Sequence, residues 1–177
     1  MPFLTADRID KFWASKILIR FTREQLHAIV ESARLSDPRA VDYVTDTLVA
    51  RQRATARYWF DRVNPLDHFE LVAGAAGPAL CFDDLMLTYR LEPGAEATQY
   101  RVTAYDAGAR VLGAPLAIRA GASGHTCTAV GQAGATFRGY TMLRIETTRA
   151  GFDQETFVHV APDPASGTPR VIGIWRP

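Results

Sequence analysis

Lysine is nearly missing from this chain. Of its twenty basic residues only Lys11 and Lys16 are lysines, which reads as the coding bias of a GC-rich genome and not as chemistry. An excess of either charge is missing too: twenty basic side chains stand against nineteen acidic ones, a formal net charge of +1. The chain as a whole therefore makes no electrostatic case for a polyanionic partner. No run of about eighteen apolar residues occurs, so no membrane insertion is expected. The opening MPFLTADRIDKFW mixes acids among its bases and leads to no apolar core or small-residue cleavage site, so it does not read as a signal peptide. The chain as written reads as soluble.

Cysteine is scarce as well. Cys81 and Cys127 cannot complete a metal site by themselves and lack the close spacing of a redox pair. Two buried free thiols is the favoured reading. A single disulfide between strands is the alternative, for an exported protein. Signatures of a serine nucleophile are missing, since there is no G-x-S-x-G. The glycine-rich GQAGATFRG at 131–139 has no lysine in a phosphate-loop position and no strand-to-helix context, so it reads as a loop.

What is present is ordinary core-forming composition, 47% hydrophobic and 22% charged over 177 residues, enough for one large domain or two small ones. The period of the apolar positions changes part-way. Residues 1–66 speak helix. Thr5 is placed to cap a first helix over about 6–19. Thr22 and Gln25 form a capping box for a second, with Phe21 stapled to Leu26. Asp37 with Pro38 at the first helical position opens a third, which should run to about 62 before Asn64-Pro65 ends it. Residues 67–177 alternate instead. HFELVA, LMLTYRL, TQYRVTAYDA, PLAIRA, HTCTAV, YTMLRIETTR, ETFVHVA and PRVIGIWR are short β-branched and aromatic runs separated by Gly, Pro, Asp or Ser. No helical pattern separates them, so an antiparallel sandwich of immunoglobulin or fibronectin type III character is expected. The predicted fold class is α+β, a three-helix subdomain at 1–66 packed on a β-sandwich at 67–177.

The third helix carries Arg51, Arg53, Arg57 and Arg62 among Tyr58, Trp59 and Phe60, a mixture that raises the question of a nucleic-acid surface. On a helical wheel Val41, Val44, Leu48, Gln52, Thr55 and Trp59 form the apolar side. Arg53 and Arg57 fall opposite, together with Asp42, Asp46 and Asp61. Residues 1–66 hold eleven basic and eight acidic side chains, whereas a phosphate-tracking face is more one-sided. The arginines read as a solvated, self-neutralising face, and no nucleic-acid partner is expected.

Candidates for chemistry are few. His125 and Cys127 share one strand face, which invites a Cys–His dyad or two metal ligands, but both need partners the sequence does not place. Asp67-His68 and Asp83-Asp84 could serve acid–base work only in a cleft, and strand neighbours point to opposite faces. Gln52 and Thr55, polar on an apolar stripe, could line a pocket, although such residues more often satisfy backbone groups where helices cross.

The strings FWASK at 12–16, SDP at 36–38, LVARQR at 48–53, YWFDRVNPLDHF at 58–69 and VIGIW at 171–175 resemble the C-terminal portion of a group of large, mostly uncharacterised bacterial proteins. The resemblance covers almost the whole chain. It implies an appendage behind a larger, kinase-like and exported N-terminal part, and carries over no catalytic residue. The resulting expectation is a non-catalytic accessory or protein-interaction module of a cell-envelope protein, periplasmic or extracellular in that setting. No cofactor, metal or catalytic residue is assigned. Its partner would be a protein, or a second copy, at an edge strand; PRVIGIWR with Trp175 is the nominated edge, and the reading favoured over self-association is that this strand closes the core beside YTMLRIETT. The alternative is a small hydrolase or other enzyme with a site between the halves, where Arg51, Gln52, Trp59, Asp67 and His68 are the residues of interest.

Overall fold

A computed structural model describes residues 5–74, 77–91 and 95–177. The chain is α+β, helices first and antiparallel strands after, and it divides into two compact units, Met1–Val63 and Asn64–Pro177.

In the first unit, α1 (Arg8–Leu18) starts two residues later than a Thr5 cap would place it. Asp7 is the cap: its carboxylate accepts the Ile9 and Asp10 N–H groups, and the Asp10 side chain returns to the Asp7 N–H. An ionised carboxylate also suits the positive end of the helix dipole, which a threonine hydroxyl cannot match. Helix α2 (Arg23–Glu31) opens with the Thr22–Gln25 capping box read from the sequence. Helix α3 (Pro38–Phe60) opens at Asp37 and stops two residues short of the expected end.

The buried line of α3 differs from the wheel. Thr45, Gln52, Ala56 and Phe60 are buried, Trp59 is half-buried and Thr55 is exposed. This line follows steps of four and seven, and its small residues Thr45 and Ala56 leave room for α1 and α2, which both pack on α3. The Thr45 hydroxyl is satisfied by Val41 O at 2.7 Å, and Phe60 meets Phe12 edge-on at 5.5 Å. Asp42, Asp46, Arg53, Arg57 and Asp61 are exposed as expected. Two of the three acids are bound from α2, however: Arg23 reaches Asp46 at 2.9 Å and Asp42 at 3.2 Å.

In the second unit eight strands follow: β1 (Leu66–Gly74), β2 (Gly77–Asp84), β3 (Gln99–Tyr105), β4 (Leu116–Arg119), β5 (His125–Ala129), β6 (Thr141–Arg149), β7 (Phe152–Pro162) and β8 (Pro169–Trp175). They form a three-stranded sheet in the order β1-β2-β5 and a five-stranded sheet in the order β4-β3-β6-β7-β8, every pair antiparallel. Leu66, Leu80 and Phe82 of the first sheet share one core with Tyr100, Val102, Leu143, Ile145, Val158 and Val160 of the second. Phe82 and Tyr100 meet edge-to-face at 5.1 Å across it.

Two expectations need correction. LMLTYRL is not a strand: Leu85–Thr88 is a short helix, α4, because the Asp84 carboxylate accepts the Met86 N–H and caps a turn whose Leu85, Met86 and Leu87 are all buried. The strand in its place is β2, GPALCFDD. PRVIGIWR does not lie beside β6; it pairs with β7, and β6 sits between β3 and β7. No helix among the described residues is long and apolar enough to cross a membrane.

Candidate functional site

Alternation along β2 sends Leu80 and Phe82 into the core, so Cys81 and Asp83 face outward. On β5 the buried positions are Thr126 and Thr128, which turns His125 and Cys127 outward too. The antiparallel register then sets Cys81 opposite Cys127 and Asp83 opposite His125. Four chemistry-bearing side chains thus occupy two neighbouring cross-strand pairs on one sheet face.

The third strand adds a fifth. Asp67 pairs with Asp83, but the register of β1 shifts before Glu70, and within this bulge His68 adopts a φ of 52°. A left-handed conformation at a non-glycine residue costs about 1–3 kcal/mol. Its result is that His68 Nδ1 lies 2.8 Å from Asp83 Oδ2, while His125 Nδ1 lies 2.7 Å from Asp83 Oδ1. Each carboxylate oxygen holds one imidazole. Partial burial disfavours the Asp83 charge, but the hydrogen bonds from His125 and then His68 outweigh it, and the carboxyl is held below the usual aspartate range. An ionised carboxylate only accepts, so both rings donate from Nδ1. His125 then turns Nε2 toward Cys127 Sγ, 3.4 Å away.

The cysteines are not free thiols. Cys81 and Cys127 are joined in a disulfide across β2 and β5, their Cα atoms 4.1 Å apart. A sequence separation of 46 does not by itself decide between this bond and two free thiols; the register of β2 on β5 does. The bond also disposes of a Cys–His dyad in this state, because Cys127 has no thiolate to offer.

One residue along, Asp84 points the other way, into the protein, where it is fully buried. Arg149 Nη2 lies 2.5 Å from its Oδ2, and Tyr100 donates its hydroxyl to the same oxygen at 2.9 Å. Burial first, then the Asp84 charge, pushes the Tyr100 phenol far above its ordinary value. Arg149 Nε and Nη1 have no hydrogen-bond partner among the described residues, and the guanidinium carbon lies 4.9 Å from the Phe152 ring centre. This is a pinned structural network. Sequence reading passed over Arg149 and Tyr100, since a buried ion pair between distant strands has no local signature.

The residues nominated from sequence fall in different places. Asp67 and His68 come together with Asp83, His68 Nε2 lying 3.7 Å from Asp67 Oδ2. Asp67 is buried and has Arg176 at 3.6 Å. Gln52 lines no pocket: its Nε2 donates to Leu18 O at 2.6 Å and Phe21 O at 2.9 Å, closing the C-terminal end of α1. Arg51 is exposed on α3, and Trp59 carries the Lys11 ammonium 5.2 Å from its ring centre. Trp175 lies on β8, against Phe157 at 4.9 Å. No family model, curated protein or solved structure matches the chain.

Proposed function

We propose that the chain is a non-catalytic protein-interaction module whose contact is the outer edge of β8. The observation that carries this is the place and character of that strand. It is last in its sheet, paired only with β7 on the ladder, and Ile172 and Trp175 are 51% and 54% exposed. An edge strand offers unpaired N–H and C=O groups, and exposed apolar side chains along it favour a second strand over water.

The framework is proposed to be a sandwich of immunoglobulin or fibronectin type III character. Strands β1, β2 and β5 fall where A, B and E do in that plan, and β3, β6 and β7 where C, F and G do, with β4 joined to the C edge. On this mapping β8 is an extra strand laid on G, so the edge that accepted it is one that takes strands. The disulfide departs from the plan, joining two strands of one sheet. It supports the reading of an exported, cell-envelope setting, together with the resemblance to bacterial appendages.

A synthetic peptide with the sequence of residues 169–177 tests the edge directly, because such a strand pairs with itself if β8 is receptive. Light scattering on a concentration series should show association of the chain, and the peptide should compete with it. Ile172→Lys places a charge on the exposed apolar strand and should abolish both while the far-ultraviolet spectrum stays the same. A chain that stays monomeric at millimolar concentration and ignores the peptide would defeat the reading.

A further inference from the structure

The outward face of the three-stranded sheet carries a set of groups whose chemistry is not used by the edge of β8. Cys81, Cys127 and His125 offer Sγ, Sγ and a ring nitrogen, all within 4.8 Å of one another. In the oxidised chain the two sulfurs share a bond. We infer that reduction of the Cys81–Cys127 disulfide opens a zinc site with these three residues as ligands, so that the sheet face is a thiol-gated metal site.

The ligand chemistry is what a borderline-soft divalent ion takes, two thiolates and an imidazole, and three protein ligands leave one coordination position open. The distances agree. Tetrahedral zinc with Zn–S about 2.3 Å and Zn–N about 2.05 Å puts sulfur and nitrogen ligands about 3.5 Å apart. Cys127 Sγ and His125 Nε2 stand 3.4 Å apart before any metal arrives. Two zinc-bound sulfurs sit about 3.8 Å apart on the same geometry. Residues facing each other across β2 and β5 at a Cα spacing of 4.1 Å reach that separation by side-chain rotation alone.

The second observation concerns the imidazole. A zinc-bound histidine characteristically donates its other N–H to a carboxylate, which fixes the tautomer and the ring plane. His125 Nδ1 already does so, to Asp83 Oδ1 at 2.7 Å, and this leaves the Nε2 lone pair facing the sulfurs. Asp83 is in turn held by His68 on its other oxygen at 2.8 Å.

The reaction balances with a thiol reductant. Two equivalents of a thiol, or one dithiol, give two electrons and two protons to the Cys81–Cys127 bond and leave as their own disulfide. The two protein thiols then release two protons as they bind Zn²⁺. Cys127 is the sulfur an incoming thiolate would reach, since it is exposed and Cys81 is buried. The two states exclude each other: a disulfide sulfur is a poor ligand, and a zinc-bound thiolate is not free to re-form the bond.

The test uses the full chain, oxidised and after phosphine reduction, titrated with Zn²⁺ by calorimetry and with Co²⁺ by absorbance. Expected for the reduced chain are one metal per chain, a thiolate-to-cobalt charge-transfer band and the visible bands of a tetrahedral ion; the oxidised chain should show none of these. His125→Ala should remove the tetrahedral signature, and Asp83→Asn should weaken zinc binding about ten- to a hundred-fold with the spectrum retained. Circular dichroism of the reduced chain guards against metal capture by an unfolded polypeptide. Several results would overturn the inference. These are equal binding by oxidised and reduced chains, wild-type binding by His125→Ala, one metal per two chains, or a reduced chain that loses its strand signal and does not recover it with Zn²⁺.

Discussion

Arg149 and Asp84 meet at 2.5 Å with side chains that are 6% and 0% exposed, a buried ion pair that ties the end of β6 to the end of β2. Removing one partner of such a pair leaves an uncompensated charge inside the protein, at a cost of about 3–5 kcal/mol. Asp84→Ala should therefore lower stability by that amount in urea unfolding followed by circular dichroism. It also removes the cap of α4 and the acceptor of the Tyr100 hydroxyl. The double variant Asp84→Leu with Arg149→Met should recover much of the loss. Equal losses for single and double variants would show that the charge itself was never the issue.

Gln52→Ala strips two donors from carbonyls at the C-terminal end of α1. Leu18 O still accepts the Phe21 N–H, so the loss falls mainly on the bond to Phe21 O, about 0.5–1.5 kcal/mol for a typical hydrogen bond. The expected result is a lower urea midpoint, with Arg51→Ala, an exposed residue of the same helix, nearly unchanged. Gln52→Leu fills the volume without restoring the bonds, so it should be as costly as the alanine.

Much of the helical unit was legible in the sequence because helix starts are local. Thr22 with Gln25 and Asp37 with Pro38 lie within a single turn, and both act as read. The alternating strands were legible for the same reason, since a period of two needs only five or six residues to declare itself. What failed was non-local. GPALCFDD has no polar alternation to betray it, because one of its outward residues is a cysteine that behaves as apolar. LMLTYRL turned helical only because Asp84 is aimed to cap it. The site shows this most clearly. His125 and Cys127 were seen to share a face, but Asp83 and Cys81 join them through the register of β2 on β5, and His68 arrives through a bulge in β1. Neither is written in any one segment.

Acid should weaken the fold through Glu146. Arg101 hydrogen-bonds it and Arg144 adds its charge; together they outweigh partial burial and hold the carboxyl below the usual glutamate range. A carboxylate whose folded value is depressed stabilises the native state in full above the unfolded value, about 4.3, and the contribution is lost as pH falls through the folded value. Urea midpoints measured from pH 6 down to pH 3 should decline, and Glu146→Gln should flatten part of that decline. A variant with the same acid limb as the wild type would remove Glu146 from the explanation.

Gly124 precedes β5 with a φ of +88°, and a Cβ there would meet the Thr88 backbone N at 2.8 Å and Asp84 O at 2.9 Å. The backbone conformation alone costs a residue with a side chain about 1–3 kcal/mol, and the contact with main chain cannot be relieved by a rotamer. Gly124→Ala should lower the melting temperature more than Gly139→Ala, where a Cβ meets nothing within 4 Å and φ is not positive.

The covalent bridge between β2 and β5 also gives the chain a concealed length. Pulled from its two ends, it cannot unspool the segment between Cys81 and Cys127, a separation of 46 residues. At about 3.4 Å per residue that is about 150 Å of contour withheld from tension. Strands β3 and β4 lie wholly inside the withheld segment, so they cannot be drawn out along the line of pull while the sulfurs are joined. Under tension, a thiol in the surroundings would release this slack as a discrete lengthening.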